Sequence, residues 1–177
     1  TVERLTQAGY RQYEISNFSK PGFTSRHNLR YWLTQPYIGF GPGAHSDFGG
    51  RRYAWLRDLE GYQKGVLEGG ELLDSQDLRP HKERSGEYLM LALRTARGIE
   101  EWEYRGRYFM DFSPIEDRLV QFQAQGWAEK TGEGRWRLTP KGFLVSNQLI
   151  GDLLERQEKA RLDELLPKVQ ARFQGKK

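Results

Sequence analysis

A chain of 177 residues has room for one ordinary domain, or for one and a half small ones. Its 28 Lys+Arg against 24 Asp+Glu leave a formal charge of +4, which favours anionic partners only weakly and fits a solvated, mixed-sign surface. Cysteine is absent, so this chain can hold no disulfide, no thiolate metal site and no cysteine-ligated iron–sulfur cluster.

Aromatic residues reach 13% against 37% hydrophobic in all, which predicts a core built more on rings than on aliphatic chains. No apolar run is long enough to span a bilayer and no signal-peptide pattern opens the chain. A soluble, cytoplasmic protein is expected. The chain opens on Thr1 inside what reads as a running helix, which suggests a piece of a longer protein.

In chain order, Val2, Leu5 and Ala8 have helical spacing and Gly9 is a stop signal. A short strand over 10–16 follows, so the opening reads as the tail of an α/β unit. A loop over 17–28 carries the turn Lys20-Pro21-Gly22. Next come His27-Asn28-Leu29-Arg30-Tyr31-Trp32 and a glycine-rich turn with Gly39, Gly41 and Gly43 before His45. Exposed amides in such a turn can bind an anion or carboxylate, and a tight strand-to-loop bend explains the glycines equally well. A hairpin edge is expected over 49–53, a helix over 58–69, and a polar connection between two domains over 71–79.

Pro80 precedes a predicted helix over 81–97 with a buried stripe of Tyr88, Leu89, Ala92, Leu93 and Ala96, ended by Gly98. His81 is expected at the surface of its first turn. Ser113-Pro114-Ile115-Glu116 has the form of a capping box, opening a helix to about Gln125 that buries Ile115, Leu119 and Phe122. Strands over 127–131 and 135–138 flank a turn at 132–134. Thr139-Pro140 caps a helix to about Leu154. Leu162, Leu165, Leu166, Val169 and Phe173 stripe a last amphipathic helix, expected to pack on its own protein. Helix, helix, wing, helix is the order of a winged-helix-like domain. Its candidate recognition helix carries Glu116 and Asp117 beside Arg118, whereas a DNA-reading helix needs a basic face. No nucleic-acid partner is expected.

Three motifs in order, YEISNFSKPG (13–22), HNLRYW (27–32) and GFGPGAHS (39–46), are jointly specific. With Leu91 to Arg94, Gly98-Ile99 and RWRLTPKG (135–142), they make the chain resemble, from Thr1 to about Glu155, the radical-SAM proteins related to oxygen-independent coproporphyrinogen III oxidase. Within that family it is most similar to the heme chaperone branch. The resemblance implies an α/β (α+β) fold in three parts. Residues 1–76 would be the last part of an open radical-SAM (β/α) barrel, 77–155 a winged-helix-like C-terminal domain, and 156–177 a C-terminal amphipathic helix. The full-length parent would bind a [4Fe–4S] cluster and S-adenosylmethionine; the cluster's cysteines are missing here, so no catalysis is expected of this chain alone.

In the chaperone branch the HNxxYW motif is associated with heme binding. The resemblance therefore implies heme-binding residues His27, Asn28, Tyr31 and Trp32. Imidazole is the commonest axial iron ligand and tyrosine can also serve. His27 is the candidate ligand of the heme iron and His45 the alternative. Gly41, Gly43 and His45 are expected on the S-adenosylmethionine side. The expected function is binding heme, or a related porphyrin, and delivering it to apo-hemoproteins, with peripheral membrane contact and homodimerisation through open sheet edges. Two alternatives stand beside it: part of a decarboxylating oxidase of porphyrin biosynthesis, and a protein-interaction module that binds no tetrapyrrole.

Overall fold

The structure is a computed structural model. It describes the backbone of residues 1–78 and 80–174, and the side chains of these residues other than 81, 82 and 168–174. The fold is mixed α/β, and every strand pair among the described residues is antiparallel.

α1 (Val2–Gln7) ends at Gly9, as its spacing predicts. β1 (Arg11–Gln12) then pairs with β2 (Phe18–Ser19). The predicted strand over 10–16 is thus cut short, because the backbone beyond Gln12 leaves for other partners. The Ile15 N–H donates to the Arg94 carbonyl at 2.8 Å, and the Ala96 N–H donates to that of Tyr13 at 2.9 Å. α2 (Arg26–Trp32) carries HNLRYW, so the predicted loop gives way to helix at Arg26.

β3 (His45–Phe48) and β4 (Arg51–Trp55) form a hairpin whose turn, Gly49-Gly50, has φ of +61° and +76°. Both values lie in the left-handed region that glycine enters without strain. Asp58 caps α3 (Leu59–Glu68), accepting the Gly61 N–H, and Gly69 ends it in the left-handed conformation. The polar stretch expected to be a connection is instead β5 (Leu73–Asp77), paired with β4. Its strand character was hidden because its sequence, Leu-Asp-Ser-Gln-Asp, is polar and mostly exposed.

The helix expected over 81–97 divides into a 3-10 turn at His81–Arg84 and α4 (Ser85–Ala92). Tyr88, Leu89, Ala92 and Leu93 are fully buried as expected; the described side chains do not include that of His81. The chain leaves the helix after Ala92, and Thr95 then bridges to Glu14. β6 (Ile99–Glu100) and α5 (Glu101–Tyr108) follow. Neither was read from the sequence, since a two-residue strand and a highly charged helix carry little hydrophobic periodicity.

α6 (Ser113–Ala124) buries Ile115, Leu119 and Phe122 as predicted. β7 (Ala128–Gly132) and β8 (Arg135–Leu138) form the predicted hairpin, and β6 extends it to a sheet ordered β6-β8-β7. Thr139 caps α7 (Pro140–Leu144) by accepting the Gly142 N–H. A break at Val145 separates it from α8 (Ser146–Gln174), which runs unbroken through 155. The separate terminal helix expected over 156–177 is the continuation of α8, within its described range. Leu162, Leu165 and Leu166 are 49%, 41% and 54% exposed rather than packed, because α8 buries nothing between Gln157 and Pro167 among the described side chains. The Val169 and Phe173 side chains lie outside the described residues. One hydrophobic cluster, drawn from Tyr88 to Leu153, joins α4, α5, α6, α8 and the sheet.

Candidate functional site

α2 is set by its cap: the Asn28 N–H donates to Ser25 Oγ at 3.2 Å. Helical spacing then stacks His27 and Tyr31 one turn apart on one face. Tyr31 Oη and His27 Nε2 share a hydrogen bond of 3.0 Å, with the rings edge-on at 5.0 Å between centroids. The Tyr31 ring also meets Tyr37 edge-on, at 4.7 Å. Asn28 Nδ2 donates to Tyr13 Oη at 3.5 Å.

Asn28, Tyr31 and Trp32 line an open cleft of about 530 Å³. The opposite wall is the β3–β4 face. Alternation along β3 puts His45 and Asp47 on one side of that sheet, where Ala54 and Arg52 are their cross-strand partners. His45, Asp47 and Arg52 line the cleft, and Tyr37, Glu87 and Leu91 complete most of it. Four residues singled out in the sequence, Asn28, Tyr31, Trp32 and His45, therefore meet in one place. His27 does not line the cleft; it backs Tyr31. Gly41 and Gly43 stay outside the lining.

The glycine turn serves mainly to aim β3. Gly41 and Gly43 have φ of +98° and +70°. Its amides are largely spent inside the fold. Gly39 donates to Ser46 Oγ at 3.0 Å, Gly43 to the Leu56 carbonyl at 2.8 Å, and Ala44 to that of Gly41 at 3.2 Å. Anion binding by these three N–H groups is excluded while those bonds hold.

The floor of the cleft is an ion network that sequence reasoning missed. Arg84 Nη1 donates to Asp47 Oδ1 at 3.0 Å, and a second bond joins Arg84 Nη2 to Asp47 Oδ2. Arg52 reaches Asp47 at 3.1 Å and Glu87 at 2.7 Å. Burial alone would raise the Asp47 pKa, but the bonds and charges of Arg84 and Arg52 outweigh it and hold the carboxyl below its usual range. The Arg84 pKa is raised, first by its bond to Asp47. Arg52 is raised as well: burial acts against it, and the two carboxylates prevail. Burial is also the main cause that pushes the Tyr37 phenol up, with Arg52 opposing. The Arg84–Glu87 spacing, three residues apart, was a local signal; the 37-residue separation of Arg84 from Asp47 was not.

An aromatic-walled cleft of this size lies within the ~300–1,000 Å³ of small-molecule sites. Its rings offer flat apolar faces to a planar ligand. Among the described residues no group of three His, Cys, Asp or Glu could hold a metal ion, and the chain has no cysteine for an iron–sulfur cluster. A heme iron needs only one or two axial donors from protein, and His27, Tyr31 and His45 are of the right chemical types. A larger cleft of about 670 Å³, between α1–β2 and the β7–β8 sheet, contains none of these site residues.

No protein-family model matches the chain. It is 30% identical over 154 residues to the heme chaperone HemW of Bacillus subtilis, covering 86% of this chain and 40% of that protein. The heme chaperone HemW of Synechocystis sp. is 33% identical over an alignment of 175 residues, covering 88% and 42%. The mitochondrial radical S-adenosyl methionine domain-containing protein 1 of Bos taurus is 32% identical over 168 residues, covering 88% and 38%. The chain thus spans about two fifths of these relatives, from 38% to 42%. Among solved structures, the radical SAM enzyme coproporphyrinogen III oxidase (HemN) of Escherichia coli shares its fold. The TM-score is 0.60 at 17% identity, over 88% of this chain and 38% of that one. Over most of its length this chain is similar in sequence to the HemW heme chaperones, and it shares the fold of the radical SAM enzyme HemN.

Proposed function

We propose that this chain is the tetrapyrrole-handling part of a heme chaperone-like radical-SAM protein, which binds heme and delivers it to apo-hemoproteins. One observation carries the reading. Asn28, Tyr31 and Trp32 of HNLRYW line the aromatic cleft, and His27 is hydrogen-bonded behind them. Trp32 and Tyr31 take the macrocycle face, and Asn28 and the cleft rim take its polar edge. The [4Fe–4S] cluster and S-adenosylmethionine belong to the cysteine-bearing remainder of the parent, and Gly41, Gly43 and His45 border that side. The sheet β6-β8-β7 with its helices, over 77–155, serves as the winged-helix-like domain. The parent acts in the cytoplasm as a homodimer, peripheral to the membrane where its recipients are membrane-bound. No helix among the described residues is long and apolar enough to cross a membrane.

Titration of the chain with hemin, followed by absorbance and then by transfer to apomyoglobin, tests this. A saturable Soret band is expected, lost when Tyr31 and Trp32 are both replaced by Ala. A wild type without a saturable band would sink the reading. Preference for the more carboxylated coproporphyrin over heme would turn it toward the decarboxylating oxidase.

A further inference from the structure

Building on the heme reading, we propose that the atom presented to the iron is the phenol oxygen of Tyr31, and that His27 is a positioning residue behind it. The two side chains are placed unequally. Tyr31 lines the cleft and is 41% exposed, whereas His27 is no part of the lining. His27 Nε2 is committed to Tyr31 Oη at 3.0 Å. In one tautomer Nε2 accepts the phenol proton and its lone pair is used. In the other it carries a proton and has no lone pair to give. In both, Nε2 is barred from a metal while the bond lasts.

The same bond suits Tyr31 to ligation. In the tautomer whose Nε2 accepts the phenol proton, forming an iron–oxygen bond would break the phenol O–H and pass its proton to His27 Nε2. The imidazolium then donates to the phenolate, so charge and atoms balance without a further reactant. Holding a ligand by a hydrogen bond from a second side chain is a general device of metal sites, and tyrosine is an established type of heme ligand. The competing carboxylates in the cleft are otherwise occupied: Asp47 is paired with Arg84 and Glu87 with Arg52. His45 is the remaining nitrogen donor in the lining. A phenolate is a hard donor that prefers ferric to ferrous iron, a useful property in a carrier that must release what it binds.

The test loads the full chain with ferric heme and records absorbance, electron paramagnetic resonance and resonance Raman spectra. A phenolate-to-iron charge-transfer band and phenolate Raman modes are expected, retained in His45→Ala. Tyr31→Phe should abolish both. His27→Ala should keep the modes but shift them, with affinity down about tenfold, and His27→Gln should recover part of that loss. Reduction to ferrous heme should weaken binding in the wild type and not in Tyr31→Phe. Both positions are exposed, so circular dichroism should be unchanged. Heme that binds without phenolate modes, or modes that survive Tyr31→Phe, overturns the assignment and leaves the heme reading standing. An imidazole-type spectrum lost in His27→Ala would make His27 the ligand through Nδ1. A wild type that binds no ferric heme overturns both.

Discussion

Asp47 shows how one carboxylate couples the cleft to folding. Its side chain is 9% exposed and answers to two arginines from different parts of the chain. Its folded pKa lies below the ordinary value near ~3.9. A depressed carboxylate contributes stability above its unfolded pKa, and that contribution is lost as pH falls through the folded value. Urea unfolding should therefore show stability falling below about pH 4. Asp47→Asn should cost about 3 kcal/mol at pH 7, since it leaves Arg84 with weaker compensation, and should make the acid slope shallower. The slope should not vanish, because Glu100, Asp111, Glu116 and Asp152 are depressed too. Equal unfolding of variant and wild type at pH 7 would mean that the network orders the cleft without stabilising the fold. None of this was legible at Asp47 itself. Residues 45–47 read as His-Ser-Asp after a turn, and nothing local announces Arg84.

At the scale of elements, two caps with similar sequence signals behave differently. Thr139 does what its position predicts: it accepts the Gly142 N–H at 3.1 Å and donates to the Gly126 carbonyl at 2.7 Å. The capping box at Ser113 does not form. Ser113 donates to Asp111, and Glu116 turns away to Lys130 at 2.9 Å and Trp136 at 3.3 Å. A charged partner on β7 and an indole on β8 outweigh one backbone N–H, which was invisible while β7 and β8 were only neighbours in the chain. Thr139→Ala should lower stability by about 1 kcal/mol, and Ser113→Ala should stay within about 0.5 kcal/mol. Chemical denaturation of the two variants decides this; the reverse order would restore the capping box. The same contrast runs through the other elements. α3 and the β7–β8 hairpin carried their own stop signals and were read correctly. β5 and β6 exist because a neighbouring strand completes them, and their own residues did not reveal it.

The whole molecule has its hydrophobic weight on one side. Every residue of the main buried cluster falls between Tyr88 and Leu153. Among the described residues before 77, the fully buried hydrophobics are Leu33 and Ala54 alone. The first part is held to the second by polar links: the Glu14–Thr95 bridge, Thr34 Oγ1 to Tyr108 Oη at 3.3 Å, Arg107 to the Thr34 carbonyl at 3.1 Å, and Asp47 to Arg84. A piece spanning 77–177 should unfold in one cooperative transition, whereas 1–76 should not fold alone. Circular dichroism and amide exchange on both pieces would show it. A protected core in 1–76 would contradict the prediction.

The sequence by itself determined what acts within a few residues. The cap at Thr139, the stops at Gly9 and Gly69 and the buried stripes of α4 and α6 all follow from local periodicity and backbone conformation, whereas the helix that aligns His27 with Tyr31 lies partly where a loop is expected. Motif order also pointed to the proteins that the chain is similar to. Only the tertiary structure decided that HNLRYW faces His45 across one cleft, that Arg84 reaches Asp47, that β5 and β6 are strands, and that α8 is continuous. Those outcomes depend on which groups are desolvated together, and desolvation is a property of packing between segments that no short window of sequence contains.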